Sequence, residues 1–320
     1  MIATVARILN RKPTFKGIKC KSRPHGLSHS NLSNISKGYA VTEKADGHNC
    51  LLAINDNQGL TLWLDDHIEK LDIKVNIPNQ NIFECEHIKD YGYLIFDALV
   101  INGKDVTNFN FKQRYKLLTE LFGVNKFENI FLKKFYFTLK ENSIFRYNKI
   151  ILNKAFPYLT DGLIFSPTSS KYYDKNITYK WKPPCQLTVD FLCKRNQKSD
   201  TLQLFCGINK NQFRKFRLAQ YNWFRSFVAP NSSYFPIPFK PKGRSKFTDV
   251  LKSNLSKYEN KIVECLWDGN GWLPLKIRTD KTSAYLSSDH LVGPNNWIVA
   301  VTTLTDALNP VTNEHIKNQV

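Results

Sequence analysis

Tyr39-Ala40-Val41-Thr42-Glu43-Lys44-Ala45-Asp46-Gly47-His48-Asn49-Cys50-Leu51-Leu52-Ala53-Ile54 is the stretch on which the reading of this chain turns. Residues 39–43 contain no turn former and read as a strand, and Cys50 to Ile54 reads as a second one, with Asp46-Gly47 as the turn between them. Lys44 therefore stands at a strand end and faces a cleft, where an amine can serve as a nucleophile. The tetrapeptide Lys44-Ala45-Asp46-Gly47 is a cheap pattern by itself, so its meaning depends on the segments that follow.

Outward from it the chain alternates strand-like runs with polar turns: Leu60 to Leu64, Asn81 to Glu86, and Tyr91 to Ile101 closed by Asn102-Gly103. Apolar residues recur at three and four from Phe111 to Phe122 and from Glu141 to Phe156, which predicts helices packed on antiparallel sheets. Strand signals resume at Leu163-Ile164-Phe165, Tyr179 to Lys182, Leu187 to Cys193 and Leu202 to Ile208. The proline-aromatic stretch Tyr234-Phe235-Pro236-Ile237-Pro238-Phe239 is expected to be a loop, because proline lacks the donor that an internal ladder needs. Ile262 to Trp267 and Leu273 to Ile277 flank Asp268-Gly269-Asn270-Gly271 and read as a hairpin in a small β-barrel, and Trp297 to Leu308 reads as a helix. Residues 13–38 suggest a lead-in wrapped over the first domain. Pro183-Pro184 marks the boundary in an α+β chain divided as 1–184, 185–300 and a C-terminal helix or linker at 301–320.

Bulk properties narrow the function. A chain of 320 residues with 42% hydrophobic and 23% charged residues suits two soluble domains. Its formal charge of +19 implies a positive surface that attracts polyphosphates, although a Lys- and Asn-rich composition from an AT-rich genome would also raise it. Seven cysteines without a C-x-x-C pair argue against a disulfide framework or zinc site and for a reducing compartment. His25 and His29 have metal-ligand spacing, but Gly26 lies between them and no matching acid follows. No apolar run reaches membrane-spanning length, since Tyr93-Leu94-Ile95-Phe96 stops at Asp97, and the N-terminus shows no cleavage signal. The expectation is a cytoplasmic protein without a membrane partner.

Six segments, in order, carry the function: Lys44-Ala45-Asp46-Gly47, Phe83-Glu84-Cys85-Glu86, Tyr93-Leu94-Ile95-Phe96-Asp97, Asp161-Gly162-Leu163-Ile164-Phe165, Lys180-Trp181-Lys182-Pro183-Pro184 and Arg278-Thr279-Asp280-Lys281. Together they resemble the collinear motifs of the covalent nucleotidyltransferase superfamily of DNA ligases, RNA ligases and mRNA capping guanylyltransferases. Trp181 to Pro184 followed by Thr188-Val189-Asp190-Phe191, and Trp272 ahead of Lys276 to Lys281, look like the capping enzymes, of viral or cytoplasmic-plasmid type. The resemblance implies an antiparallel nucleotidyltransferase domain followed by an OB-fold β-barrel domain.

A free lysine has a pKa of roughly 10.4, so only about four amines in ten thousand are uncharged at pH 7 and activation is required. Lys180 and Lys182 alternate with Trp181 along a strand, which puts both on one face to hold the α-phosphate and disfavour a proton on Lys44. The resemblance implies GTP as substrate, a divalent ion (Mg or Mn) near Asp161 and Glu86, ribose contact by Glu86 and base stacking by Phe96, whose strand position also suits core packing. It places Asp46 and Gly47 in the nucleotide site. It also implies that Arg278, Asp280 and Lys281 orient the leaving pyrophosphate. The 5′ end of RNA is the implied acceptor, with RNA triphosphatase and guanine-N7 methyltransferase as partner activities in the same polypeptide or on separate subunits.

Three departures stand against the pattern: Asn49 replaces the usual arginine, Cys85 a glycine, and Ala284-Tyr285 a Pro-Asn pair. They bear on nucleotide affinity more than on chemistry. An ATP-dependent ligase and a catalytically idle nucleic-acid-binding homologue are the alternative readings.

Overall fold

The computed structural model describes residues 6, 7, 10–12, 14–18, 24–36, 38–55, 58–63, 67–72, 77, 79–125, 127–137, 151–175, 177–196, 201–209, 234–239, 255–287 and 293–317. They form two units, Met1–Lys182 together with Asn313–Val320, and Pro183–Thr312.

The strands of the first unit are β1 (His25–Gly26), β2 (Tyr39–Ala45), β3 (His48–Asn55), β4 (Gln58–Trp63), β5 (Ile68–Asp72), β6 (Asn81–Ile88), β7 (Gly92–Ile101), β8 (Lys104–Asp105), β9 (Ile130–Leu132), β10 (Tyr136–Phe137), β11 (Thr160–Pro167) and β12 (Tyr179–Trp181). They make two sheets, one ordered β1-β12-β11-β2-β10 and one ordered β5-β4-β3-β6-β7-β8 with β9 beside β7. Nearly all pairings are antiparallel; β1 with β12 and β7 with β9 are parallel. Asp46-Gly47 is thus more than a hairpin turn, because it carries the chain from one sheet into the other.

The larger sheet is covered on both faces, which is why Cys50 to Ile54 is continuously apolar. Cys50, Leu52, Phe83, Cys85 and Ile95 pack on one side with Leu118 and Leu121, and Leu51, Ala53, Ile82 and Leu99 on the other with Tyr172. Leu118 and Leu121 belong to α1 (Phe111–Val124), which starts with a capping box between Asn110 and Gln113. At the turn from β7 into β8, Asn102 and Gly103 have φ of 49° and 76°, the left-handed pair a two-residue hairpin requires. The helix expected over Glu141 to Phe156 lies largely outside the described residues, with helical conformation at 151–153.

In the second unit β13 (Thr188–Asn196), β14 (Thr201–Asn209), β15 (Tyr234–Pro238), β16 (Ile262–Trp267) and β17 (Trp272–Ile277) form an antiparallel sheet in the order β15-β14-β13-β16-β17. Among the described residues no pairing closes it into a barrel. Two helices follow, α2 (Thr279–Ser287) and α3 (Trp297–Leu308), and Ala300 and Leu304 of α3 pack on Val189, Leu204 and Trp272. A short α4 (Asn313–Lys317) groups with the first unit.

The expectation of a loop at Tyr234 to Phe239 is corrected, since most of this stretch is the edge strand β15. The Phe239 amide donates to the Leu204 carbonyl at 2.8 Å, so odd-numbered amides face β14. Pro236 and Pro238 then turn their missing donors outward, where an edge strand has no ladder bond to lose.

Candidate active site

Lys44 is the next-to-last residue of β2, and its neighbour β11 is irregular opposite it. Thr160 pairs with Ala45 and Leu163 with Glu43, so Asp161 and Gly162 together oppose the single residue Lys44. Such a bulge re-aims a side chain. Gly162 has φ of 139°, and a Cβ there would overlap the Trp181 carbonyl oxygen. Only glycine fits. The bulge turns the Asp161 carboxylate toward two ammonium groups: Oδ1 lies 2.6 Å from Lys44 Nζ and Oδ2 lies 2.5 Å from Lys182 Nζ.

Lys182 follows the last residue of β12. The alternation expected there is present, since Tyr179 and Trp181 are buried and Lys180 between them is exposed. Lys44, Lys182 and Asp161 are therefore brought together directly, and Lys180 lies two residues before Lys182, on β12.

On the other side of the Asp46-Gly47 crossing, Gly47 packs so tightly on β6 that a Cβ would sit 2.7 Å from the Glu86 side chain. Its amide donates to Glu86 Oε1 at 3.3 Å. Asp46 is exposed on the turn, with its amide on the Leu159 carbonyl at 3.0 Å. Lys133, which sequence reasoning missed, is 4% exposed and lies 3.8 Å from Glu43 and 3.6 Å from Glu86. The Tyr158 hydroxyl donates to Glu43 at 2.9 Å. Burial, followed by the Glu43 charge, pushes the Tyr158 phenol well above its usual range, so it stays a donor. Behind the turn, then, a buried cation and a phenol hold two acids in place.

Phe96 owes its position to a second bulge. Cys85 pairs with Ile95 and Glu84 with Asp97, which leaves Phe96 without a cross-strand partner. Its partly buried ring packs beside Ala40, Phe111 and Phe135. The next residue, Asp97, is fully buried and gripped by Arg114, with Nε to Oδ1 at 2.7 Å and Nη2 to Oδ2 at 2.9 Å. Burial opposes the Arg114 charge, but the paired Asp97 carboxylate outweighs it and raises the guanidinium pKa. This two-pronged pair fixes the bulge. Cys85, which stands in place of the family glycine, is buried with its sulfur 3.4 Å from that of Cys50.

In the second unit Arg278 joins β17 to α2. Asp190, buried on β13, accepts from Arg278 Nη1 at 2.9 Å and from Lys281 Nζ at 2.5 Å. Arg278 also lies 3.3 and 3.2 Å from the two oxygens of Asp280. That hydrogen bond is the main reason the Asp280 carboxyl is held below its usual range. The backbone of Asp190 is fastened as well: its amide donates to Asn295 Oδ1 at 2.7 Å and its carbonyl accepts from the Asn295 amide at 2.8 Å. Sequence reasoning quoted Asp190 in a motif but gave it no role.

Among the described residues no three His, Cys, Asp or Glu side chains converge as a metal site. No helix among them is long and apolar enough to cross a membrane.

Residues 3–184 match the family model of the mRNA capping enzyme catalytic domain, and residues 163–288 that of the mRNA capping enzyme C-terminal domain. The chain belongs to the mRNA capping enzyme family. Within it, the mRNA-capping enzyme of African swine fever virus is 26% identical over 302 residues, covering 82% of this chain and 34% of that protein. The mRNA-capping enzyme of Caenorhabditis elegans is 27% identical over 346 residues, covering 95% and 48%. The chain thus spans about a third to a half of the length of these relatives. A solved mycobacterial DNA ligase D complexed with ATP and MES is 12% identical with a TM-score of 0.41, covering 81% of this chain and 95% of that one.

Proposed function

We propose that the chain is an mRNA guanylyltransferase that transfers GMP from GTP to the 5′-diphosphate end of RNA through Lys44. The observation that carries this reading is the Asp161 bulge, which gathers the Lys44 amine and the Lys182 ammonium on one carboxylate. An incoming α-phosphate offers both lysines an anion in place of Asp161. Lys182, just past the strand that carries Lys180, then neutralises phosphate charge while Lys44 Nζ, having given a proton to solvent, attacks phosphorus. The N–P bond forms as the bond to the pyrophosphate oxygen breaks. A terminal phosphate oxygen of the RNA next attacks the same phosphorus, the N–P bond breaks, and the amine recovers its proton.

Glu86, steadied by Lys133 and the Gly47 amide, is the proposed ribose contact, and Phe96 the proposed base-stacking ring. Roles for Asp46 in the nucleotide site and for Arg278, Asp280 and Lys281 at the leaving pyrophosphate rest on the family pattern. Asp161 and Glu86 suit a divalent ion that arrives on the triphosphate better than a resident one, since cations or amides already hold both. Such an ion supplies charge neutralisation on the phosphate oxygens. RNA triphosphatase and guanine-N7 methyltransferase are the activities such an enzyme needs beside it.

The test is incubation with α-labelled GTP or ATP and Mg or Mn, followed by a denaturing gel. We expect a GTP-derived, acid-labile adduct that disappears in Lys44→Ala and falls at least about 100-fold in Lys182→Ala. Undiminished label in Lys44→Ala sinks the assignment, label from ATP alone favours a ligase, and no label favours a binding module.

A further inference from the structure

Beside the nucleophile's turn, four aromatic rings form a chain at the surface. Tyr91 and Phe131 stack with centroids 4.7 Å apart and planes at 30°, Tyr91 meets Tyr158 at 5.0 Å, and Tyr158 meets Phe156 at 5.5 Å. The rings come from the β6–β7 turn, from β9 and from the segment before β11. Tyr91 and Tyr158 rest with their inner sides on Ala45, Ile88 and Leu94, yet no ring of the row is fully buried: Phe131 is 37% exposed, and Tyr91, Phe156 and Tyr158 are partly buried. A cation lies against one end, with Lys154 Nζ 5.2 Å from the Phe156 ring centroid, and Lys89 is exposed in the β6–β7 turn that carries Tyr91.

The chain leads from these rings straight to the reacting amine. Tyr158 precedes Asp161 by three residues, about 10 Å of extended backbone, and Asp161 holds Lys44. The Leu159 carbonyl between them accepts the Asp46 amide at 3.0 Å.

We infer that this row of rings is the platform on which the first bases of the acceptor RNA stack, so that its terminal phosphate is presented to the GMP on Lys44. The inference rests on the guanylyltransferase reading and adds the acceptor site to it. A single-stranded polyanion with flat bases is the occupant that matches. Ring faces supply sequence-tolerant stacking, the lysines meet the phosphates, and the chain's +19 charge attracts the strand from a distance. An apolar peptide would make no use of the cations.

The experiment pairs Tyr91→Leu/Phe131→Leu, which keeps apolar bulk but removes two stacking faces, with Phe131→Trp, which keeps a ring. Neither variant touches Lys44, Asp161 or Lys182. Label formation from GTP should be unchanged in both. In transfer, the KM for a 5′-diphosphate RNA of about ten nucleotides should rise roughly 5- to 150-fold in the leucine variant, the range for loss of stacking on one base. The KM for a nucleoside diphosphate acceptor, which offers the row a single base, should rise less than that for the long RNA, and the Phe131→Trp protein should treat the long RNA like wild type. An unchanged KM for the long RNA, or an equal rise for both acceptors, overturns the platform. Should wild type form no label, guanylyl transfer is what has failed, and fluorescence anisotropy of the same RNA then tests the platform by itself. Weaker binding by the leucine variant, with Phe131→Trp like wild type, supports it; equal binding by all three proteins overturns it.

Discussion

Each unit holds one carboxylate between two cations, and the two clamps differ in the acid far more than in the cations. In the first unit the Asp161 side chain is 19% exposed, between Lys44 at 22% and Lys182 at 30%. In the second the Asp190 side chain is 7% exposed, between Arg278 at 26% and Lys281 at 25%. Asp161 sits on a glycine bulge, where the backbone departs from the ladder. Asp190 sits in a regular stretch paired with Glu264 and fastened by Asn295. On the proposed function, the contrast separates an acid whose place a ligand's phosphate takes from one built into the sheet. Asp161 should therefore matter to chemistry, and Asp190 to the folding of its own unit.

The largest effect expected from this contrast is on activity at Asp161. Asp161→Asn keeps the shape but loses the charge that aligns Lys44 with Lys182, and formation of the GMP adduct should fall about 100-fold. Partly exposed ion pairs contribute about 0–1 kcal/mol, so the thermal midpoint should move by no more than about 3 °C. An adduct rate within about threefold of wild type would break the comparison at its stronger end.

Asp190→Asn should behave in the opposite way. A buried acid that neutralises two cations is lost while the cations stay, and the second unit should lose about 1–3 kcal/mol. The urea midpoint followed by tryptophan fluorescence reads this, because Trp267 and Trp272 lie in that unit's core. An unchanged midpoint would mean that Asp190, like Asp161, is an exchangeable partner.

How far these sites could be read from sequence follows from which residues have a local signature. Lys44, Asp161 and Lys182 each stand in a short motif, and Gly47 and Gly162 mark close approaches that no other residue tolerates. Lys133 has no such mark. It is one of two consecutive lysines, of which the fold buries Lys133 and exposes Lys134, and nothing local says which side is inside. The bulges were hidden too, since Phe96 and Leu99 each lack a partner on β6 and reset the alternation in β7. The fold class was legible because long apolar runs and turn residues carry it, and the helix at Phe111 showed plain periodicity. The proline-rich edge strand was not, because proline is excluded from the interior of a sheet but not from its border.

A smaller effect sharpens the contrast from beneath the first clamp. Tyr158→Phe removes the hydroxyl from Glu43 and leaves the ring, so it should cost about 1 kcal/mol, seen as a lower urea midpoint. The adduct rate should change far less than in Asp161→Asn, because Lys133 still lies beside both Glu43 and Glu86. A loss of activity as large as that of Asp161→Asn would move Glu43 from support into the reacting site.

The smallest effect concerns Asp280, the second acid on Arg278, and it shows as a pH dependence. Its carboxyl is held below the usual value of 3.8, first by the hydrogen bond from Arg278. A depressed acid favours the folded state while it is ionised there, so its contribution is complete above about pH 4 to 5 and disappears as pH falls through the folded-state value. The Asp280 side chain is 64% exposed, and solvent screening keeps the contribution below about 0.5 kcal/mol. Asp280→Asn should thus shift the urea midpoint slightly at pH 7, and wild type and variant should converge near pH 2 to 3. Its place in the first turn of α2 adds to the same difference with the same sign, because a negative charge is favoured at a helix N-terminus. A gap that widened on acidification would mean that Asp190 alone holds Arg278, which would make the second clamp more self-contained than the first.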